Sequence, residues 1–533
     1  MDRGKIILLF HTLRFLRYKQ VYYRIFYFFR NKFFKRSYNV DLLTKTPSIV
    51  WRGGIDNPPS HLQNNSFEFL NLTKNFEETI DWNFSDYGKL WTYNLNYFDF
   101  LNQKRIDKKF ALGLIEDYIT KDSFLKEGHE PYTISLRGIN WIKFLAKSEI
   151  ADTNVNRKLY QHYLRLKDNL EYHLLGNHLL ENGYSMLFGA YYFKNEEFYK
   201  IASGILKEEM EEQILEDGAH FELSPMYHQI MLYRLLDCIN LLKDNSWKKD
   251  VLYSFLIKKA KKMLGWLATI TYSNGDIPMV NDCAHDIAPT SRALFNYAEY
   301  LDISFNKTPL KESGYRKFIG KDYELFVDVG NIGPDYQPGH AHSDTFSFEL
   351  YLKEQPYIVE VGTSTYEKNE NRQKERQTSS HNTVMLNNME QTQVWGGFRV
   401  GKRSKACVME DKKEHVLACH DGYKSIGARH LRKFVSSDEK ITIQDQVLMK
   451  RNHKLNQTAF FHFHPSIEEL IIFENKVILP QGKIMLEFSK SILGIKEVKY
   501  EYALGFNKTT KAKRIEVDFQ EDLTTHIHIV DKN

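Results

Sequence analysis

GHAHSDTFSFEL, residues 339–350, decides how the second half of the chain folds. Phe346, Phe348 and Leu350 alternate with Ser347 and Glu349, the two-residue period of a strand with one face in a core. His340, His342 and Asp344 carry the same period toward the N-terminus. An unbroken strand would project all three from one face. Two imidazoles and a carboxylate at that spacing suit metal ligation or acid–base work.

Downstream and just upstream the texture is the same. YELFVDVGNIG, PYIVEVG, HNTVMLN, KITIQDQVLM, TAFFHFHPS, KVILP and KIMLEFS are short alternating segments bounded by turn residues, which predicts an antiparallel β domain. From about residue 105 to 305 apolar residues instead return every three or four positions, as in ISLRGINWIKFLAKSE and HQIMLYRLLDCINLLK. Polar breaks at Lys194–Glu197 and Glu216–Ala219 divide this region into helical hairpins, the pattern of a bundle, a solenoid or an α/α toroid. WRGGIDNPPS, residues 51–60, is a Gly/Pro/Asn cluster that reads as a linker.

A chain of 533 residues is expected to hold two or three domains. Its net charge of +5 is small for this length and gives no reason to expect nucleic acid as a partner. The 14% aromatic share suits a sugar-binding cleft and equally suits large cores. Cys238, Cys283, Cys407 and Cys419 show no CxxC spacing, so a thiolate zinc site is not expected. No Walker or Rossmann glycine loop points to a nucleotide, and no apolar run reaches the ~18 residues that cross a bilayer.

Residues 1–36 stand apart. They carry ten Lys/Arg against one acid, interleaved with eleven Phe/Tyr, and no small-residue cleavage site. A basic amphipathic helix on an anionic membrane surface fits this pattern, and so does a helix docked by its aromatic side on the body of the protein. The location expected from this segment is cytoplasmic or at the inner membrane, with the periplasm as the alternative.

Three polar constellations interrupt well-patterned segments. In GNHLLENGYS, Asn177 starts a helix and His178 shares a face with Glu181 and Asn182. In EDGAHFELSPMYHQ, Ser and Pro fix a helix start and place Tyr227 and His228 in its first turn. In the third, His342, Glu360 of YIVEVGTSTY and His381 of SSHNTVMLN fall at consecutive predicted strands, a two-imidazole, one-carboxylate set suited to Zn²⁺. Taken singly, each of these also reads as a helix cap or a buried histidine. Asp344 reads as a partner orienting one of the histidines.

Together, QPGHAHSDTFSFELYL, VGTSTY, SSHNTVMLN and WGGFRVGKR resemble the heparinase II/III-like polysaccharide lyases, which include alginate lyases. DWNFSDYGKLWTYNLNYFDFL (81–101) and HEPYTISLRGINWIKFL (129–145) resemble the helical portion of members found with bacterial surface-polysaccharide genes. The resemblance runs from about residue 80 to 435. It implies an α+β multidomain fold, an N-terminal α/α toroid over 51–310 followed by a C-terminal antiparallel β-sandwich over 311–533, with 1–50 as a separate basic aromatic segment. It also implies β-elimination on a uronic-acid polysaccharide. In that reading Asn177 and His178 neutralise the uronate carboxylate, and Tyr227 and His340 act as acid and base. Tyr366 is the nearest candidate for a second tyrosine, and His342, Glu360 and His381 would hold Zn²⁺. The family usually has Asp where this chain has Glu360.

For the walls of an acidic-polymer cleft the candidates are Arg137, Trp141, Tyr366, Trp395 and Arg399, with Lys402, Arg403, Arg429 and Arg432 as further cations. Two other classes stay open. A glycoside hydrolase would draw on Glu181, Glu216, Asp217 and Glu222, and a non-catalytic glycan-binding assembly factor would need no catalytic groups.

Overall fold

A computed structural model describes residues 3–34, 36–40, 46–248, 251–449, 454–479 and 484–529. Met1, Asp2 and Lys35 of the basic segment lie outside these. Two helices open the chain, α1 (Arg3–Leu13) and α2 (Tyr18–Phe33), and a hairpin follows at Ser66–Phe69 and Leu72–Asn75. The helical half then runs through α3 (Lys89–Tyr97), α4 (Lys108–Thr120), α5 (Pro131–Ser148), α6 (Thr153–Asp168), α7 (Gly176–Phe193), α8 (Glu196–Gln213), α9 (Pro225–Asp244), α10 (Val251–Ile270) and α11 (Ser291–Tyr300).

The sequence places these helices through their caps. Asp107, Asp152, Asn195, Ser224 and Thr290 each accept a hydrogen bond from an N–H in the first turn of α4, α6, α8, α9 and α11, satisfying donors that a helix start leaves open. The expected break at Lys194–Glu197 is a left-handed Lys194 followed by the Asn195 cap. Helices α5, α7 and α9 are buried almost all round and form the interior row. Tyr163 of α6 wedges against α5 and α7, where a Cβ on Gly189 would lie 2.5 Å from its ring.

WRGGIDNPPS departs from expectation. It has no helix or strand beyond an isolated bridge at Asn57, yet it is packed rather than a free linker. Trp51 is buried against Phe188 with ring centroids 5.7 Å apart, and Asn240 donates to the Gly53 carbonyl at 2.6 Å.

The sheet half is antiparallel throughout. One four-stranded sheet orders Tyr315–Ile319, Tyr323–Asp328, Phe348–Leu352 and Gln355–Ile358. A second orders Ile492–Gly505, Lys508–Phe519, Gln457–His462 and Val384–Leu386. An eight-stranded sheet runs from Ala406–Lys412 through Lys440–Met449 and Asp522–Ile529 to Ile471–Phe473. Phe348, Val384, Phe434, Ile443, Phe461 and Val517 from all three sheets share one core.

The opening stretch is not one continuous strand. Its strand begins at Phe348, and residues 339–347 are loop. Phe346 has φ 71°, and the Ser347 N–H donates to the Asp344 carbonyl at 2.8 Å. This turn breaks the two-residue period, so His340, His342 and Asp344 need not share a face. Glu360 likewise lies just past the strand Gln355–Ile358, and His381 sits between a 3₁₀ turn at Thr378–Ser380 and the strand Val384–Leu386.

Candidate active site

The site is assembled at the entry of α7. Leu175 and Gly176 both have positive φ, 62° and 60°, and a Cβ on Gly176 would lie 3.0 Å from a Glu222 carboxylate oxygen. Glycine therefore lets Glu222 close on the first turn. Its Oε1 accepts from the Asn177 backbone N–H at 3.1 Å, and its Oε2 accepts from Asn177 Nδ2 at 2.9 Å. The same Oε2 accepts from His340 Nδ1 at 2.6 Å. Burial would raise the Glu222 acid, but the facing His340, with His220 and the Asn177 amide, holds it down to about 2. An ionised carboxylate only accepts, so His340 Nδ1 carries a proton toward Glu222, and in the neutral ring the lone pair is then on Nε2.

Tyr227 arrives from the first turn of α9. Ser224 caps that helix through Tyr227 N–H at 3.2 Å, and its own hydroxyl donates to the Asp282 carbonyl at 2.6 Å. The Tyr227 ring stacks on His340 with centroids 3.8 Å apart and an interplanar angle of 16°. Its Oη lies 3.1 Å from Tyr366 Oη. Burial pushes Tyr227 above the ordinary phenol range, with the Tyr366 hydrogen bond pulling only partly back. The hydroxyl therefore carries its proton at neutral pH and is a donor. The Arg372 guanidinium covers Tyr366 and Phe398, 5.0 and 5.1 Å from their ring centroids.

His178 points from the same turn of α7 and is half-exposed. Its Nδ1 meets Glu171 Oε1 at 3.0 Å, and its ring packs on Tyr132 with centroids 4.6 Å apart. Burial disfavours its charge, but Glu171 outweighs burial and raises its pKa above the ordinary value. Asn182 fixes the other Glu171 oxygen at 3.0 Å. Asn177, Glu222, His340, Tyr227 and Tyr366 are thus linked by direct contacts, and His178 stands next to Asn177 in the chain with its own partners, Glu171 and Tyr132.

The expected metal ligands are arranged differently. Glu360 pairs with His381 Nδ1 and accepts from Ser347. His342 instead gives its Nε2 to Asp282 at 2.8 Å, and Arg372 grips the same carboxylate with both terminal nitrogens. Asp344 makes no hydrogen bond to either histidine. One of its oxygens is buried without a partner, as is His381 Nε2. Among the described residues, the three-member group of such donors lying within 4.8 Å of one another is Asp122, His129 and His162. There one Asp122 oxygen meets both imidazoles at 3.1 and 3.0 Å, and Lys158 holds the other oxygen at 3.1 Å.

Several expected cleft residues lie elsewhere. Arg137 and Trp141 are fully buried in α5, Arg137 over the Tyr118 ring and Trp141 among Phe98, Tyr118 and His162. Arg432 is a buried partner of Asp445, and Arg403 pairs with Asp335. Trp395 and Arg399 are placed differently: they pair on the hairpin that brings Phe398 to 6.3 Å from the His340 ring, with exposed Arg399 stacked on Trp395 at 4.9 Å and Trp395 donating to Thr12 of α1 at 3.2 Å. His228 does not face Tyr227. It bonds the Met263 carbonyl at 3.0 Å, packs on Trp266, and is held neutral by burial with a pKa lowered to about 3.

The hydrolase carboxylates are scattered too. Glu216 is exposed, Asp217 caps Ser313, and Glu181 is buried against Arg234. Sequence reasoning missed Glu171 and Asp282 and gave Glu222 only to the hydrolase reading. A signal for Glu222 was present, since it stands five residues before Tyr227.

Two family descriptions match this chain, "Heparinase II/III N-terminus" over residues 139–310 and "Heparinase II/III-like, C-terminal" over 304–530. Together they run without a break from residue 139 to 530, and the chain belongs to the heparinase II/III-like family. A heparin-sulfate lyase of Bacteroides stercoris is 26% identical over 249 residues, 41% of this chain and 36% of that protein. One of Pedobacter heparinus is 26% identical over 244 residues, 40% and 36% of the two chains. The match therefore spans only about a third of the length of these curated relatives. A heparinase III crystal structure superposes with a TM-score of 0.65 at 16% identity, covering 86% of this chain and 80% of the other.

Proposed function

We propose that the protein is a polysaccharide lyase that cleaves an acidic, uronic-acid-containing polysaccharide by β-elimination. The observation that carries this reading is Glu222, which binds Asn177 and His340 at once while His340 stacks on Tyr227. A hydrolase would need a second carboxylate beside Glu222, and Glu216, Asp217 and Glu181 lie apart from the Asn177–His340 cluster.

In the proposed reaction the uronate carboxylate docks at Asn177 and His178. The second Asn177 amide hydrogen and the charged His178 stabilise the negative charge that gathers there as the α-proton leaves, the role of an oxyanion hole. His340 Nε2 removes the proton from C5. The C–H electron pair forms the C4–C5 double bond as the C4–O4 bond breaks, and Tyr227 Oη protonates the departing oxygen. The proton on His340 then restores Tyr227, whose phenolate is meanwhile hydrogen-bonded by Tyr366. Acid–base help of this kind contributes ~10²–10⁴-fold.

The same reading takes 51–310 as an α/α toroid and 311–533 as a β-sandwich, supported by the inner row of α5, α7 and α9 and by the core shared among the sheets. It also takes His342, Glu360 and His381 as holders of Zn²⁺. The donor set supports this, and an ion held by all three would replace the Glu360–His381 Nδ1 and His342–Asp282 contacts. Bound there, the ion would cross-link the loops that carry the three residues, and no step passes through it.

Heparan-type glycosaminoglycans come first in a substrate panel, because the relatives are named heparin-sulfate lyases. Bacterial surface polysaccharides containing uronate come next. Mass spectrometry of the fragments tests the reading. Fragments one water lighter than hydrolytic ones support elimination, and fragments of full mass refute it.

A further inference from the structure

The first two helices have two unlike sides. Inward, they bridge both halves of the molecule beside the cluster just described. Thr12 Oγ1 of α1 donates to the Val400 carbonyl at 2.9 Å, and Arg403 lies 3.7 Å from the Phe15 ring centroid. From α2, Gln20 and Tyr27 donate to the Leu174 and Leu170 carbonyls at 3.0 and 2.6 Å, and Tyr23 stacks on Tyr172 at 4.7 Å. The segment they clasp, 170–174, leads directly into Asn177 and His178.

Outward, the helices are apolar where a water-facing helix should be polar. Phe10 is 65% exposed, Tyr18 83%, Phe28 62% and Phe33 63%. Tyr18, Tyr22, Ile25, Phe29 and Phe33 recur at three and four residues along one face of α2. Successive rings stack on that face, Tyr22 with Phe26 at 6.1 Å and Phe29 with Phe33 at 6.2 Å. An exposed apolar face of this size marks a binding surface.

Charge identifies the occupant. Arg17, Lys19 and Arg36 are consumed by Glu212, Glu208 and Asp168 of the body. Lys5, Arg14 and Lys32 are exposed and have no carboxylate partner among the described residues. Aromatic side chains flanked by free cations match the boundary of an anionic bilayer, where rings sit at headgroup level and long basic side chains reach the phosphates. No helix among the described residues is long and apolar enough to cross a membrane, so the contact is with its surface.

We propose that α1 and α2 form a docking surface for an anionic lipid bilayer, which holds the Asn177–His340 cleft beside the membrane. This goes beyond the lyase reading and stands without it. It makes a glycan presented at a membrane surface the natural substrate for whatever chemistry the cleft performs.

The full-length chain should co-sediment with vesicles of phosphatidylglycerol mixed with phosphatidylcholine and stay in solution with vesicles of phosphatidylcholine alone. Binding should weaken as salt rises. Each basic residue at such a surface is worth roughly a fivefold change in partitioning, so the triple variant K5E/R14E/K32E should bind ~10²-fold more weakly. These exposed positions can change without loss of the fold, which a thermal melt checks. The variant Y18S/I25S/F29S should lose binding at low salt as well. Failure of the wild-type chain to sediment with the anionic vesicles at low salt overturns the proposal. So does a self-associated wild type that Y18S/I25S/F29S converts to monomer without vesicle binding, since the face would then belong to a second copy of the chain.

Discussion

Replacing Glu222 by Gln should separate positioning from folding. Its carboxylate accepts from the Asn177 backbone, the Asn177 side chain and His340 Nδ1. Gln keeps the shape but presents an NH₂ group to one of these donors. If that group faces His340, the imidazole proton moves to Nε2 and the lone pair proposed to take the C5 proton disappears. If it faces Asn177, two amide donors collide and the carboxylate cradle shifts. Either way kcat should fall ~10²–10⁴-fold, the range that general acid–base catalysis contributes, with KM little changed in the first case and raised in the second. Stability carries a second signature. The Glu222 pKa is depressed from 4.5 to about 2, so its ionised form stabilises the fold above pH 4.5 and this contribution is lost as pH falls toward 2. The depression corresponds to roughly 3 kcal/mol, and Glu222→Gln should lack that pH dependence. Steady-state kinetics paired with thermal melts from neutral to acid pH measure both effects. Turnover within a few-fold of wild type would refute the role given to Glu222.

Tyr227→Phe should lower kcat by ~10²–10⁴-fold through loss of the proposed acid, with a melting temperature close to wild type; near-normal turnover would remove Tyr227 from the mechanism. His178 is raised by Glu171, so activity that needs its charge should persist at lower pH and decline as pH rises through its folded pKa. Glu171→Gln should move that alkaline limb to lower pH, and an unmoved limb would argue against a charged His178. Elemental analysis of protein prepared with zinc should find one ion per chain, reduced in His381→Ala, and a chelator should lower the melting temperature. Finding no bound metal would end the zinc proposal. Trp141→Ala should cost ~3–5 kcal/mol of stability, as large-to-small core changes do, and leave KM unchanged.

The helical half was legible because its caps are local. Asn195, Ser224 and Thr290 announce helix starts within three residues of the N–H they accept. Tyr227 was readable for the same reason, since Ser224 and Pro225 fix its turn. The loop at 339–347 was not legible, because Phe346 adopts a positive φ that a β-prone aromatic does not advertise. Arg137, Trp141 and Arg432 misled for another reason. Charge and ring size are visible in a sequence, but which side of a helix or sheet becomes core depends on neighbours tens of residues away, such as Tyr118 for Arg137, Phe98 for Trp141 and Phe346 for Arg432. Asp282 was invisible on the same account: its partners, His342 and Arg372, lie 60 and 90 residues further along.

The loop at Asn281–Asp282 sets how the two halves can vary. Asp282 N–H donates to the His340 carbonyl at 3.0 Å, and Asn281 receives the His342 N–H at 3.0 Å. A loop from the helical half thereby sets the height at which the sheet half's imidazole meets Tyr227. A chimera joined between α11 and the first strand of the sheet half would take Asn177, Glu222 and Tyr227 from one parent and His340 and Tyr366 from the other. Both halves of such a hybrid could fold and it would still be inert unless its 281–282 seam matched the incoming His340–His342 loop. Recombination among relatives should therefore tolerate new cleft walls far more readily than a new pairing across that seam.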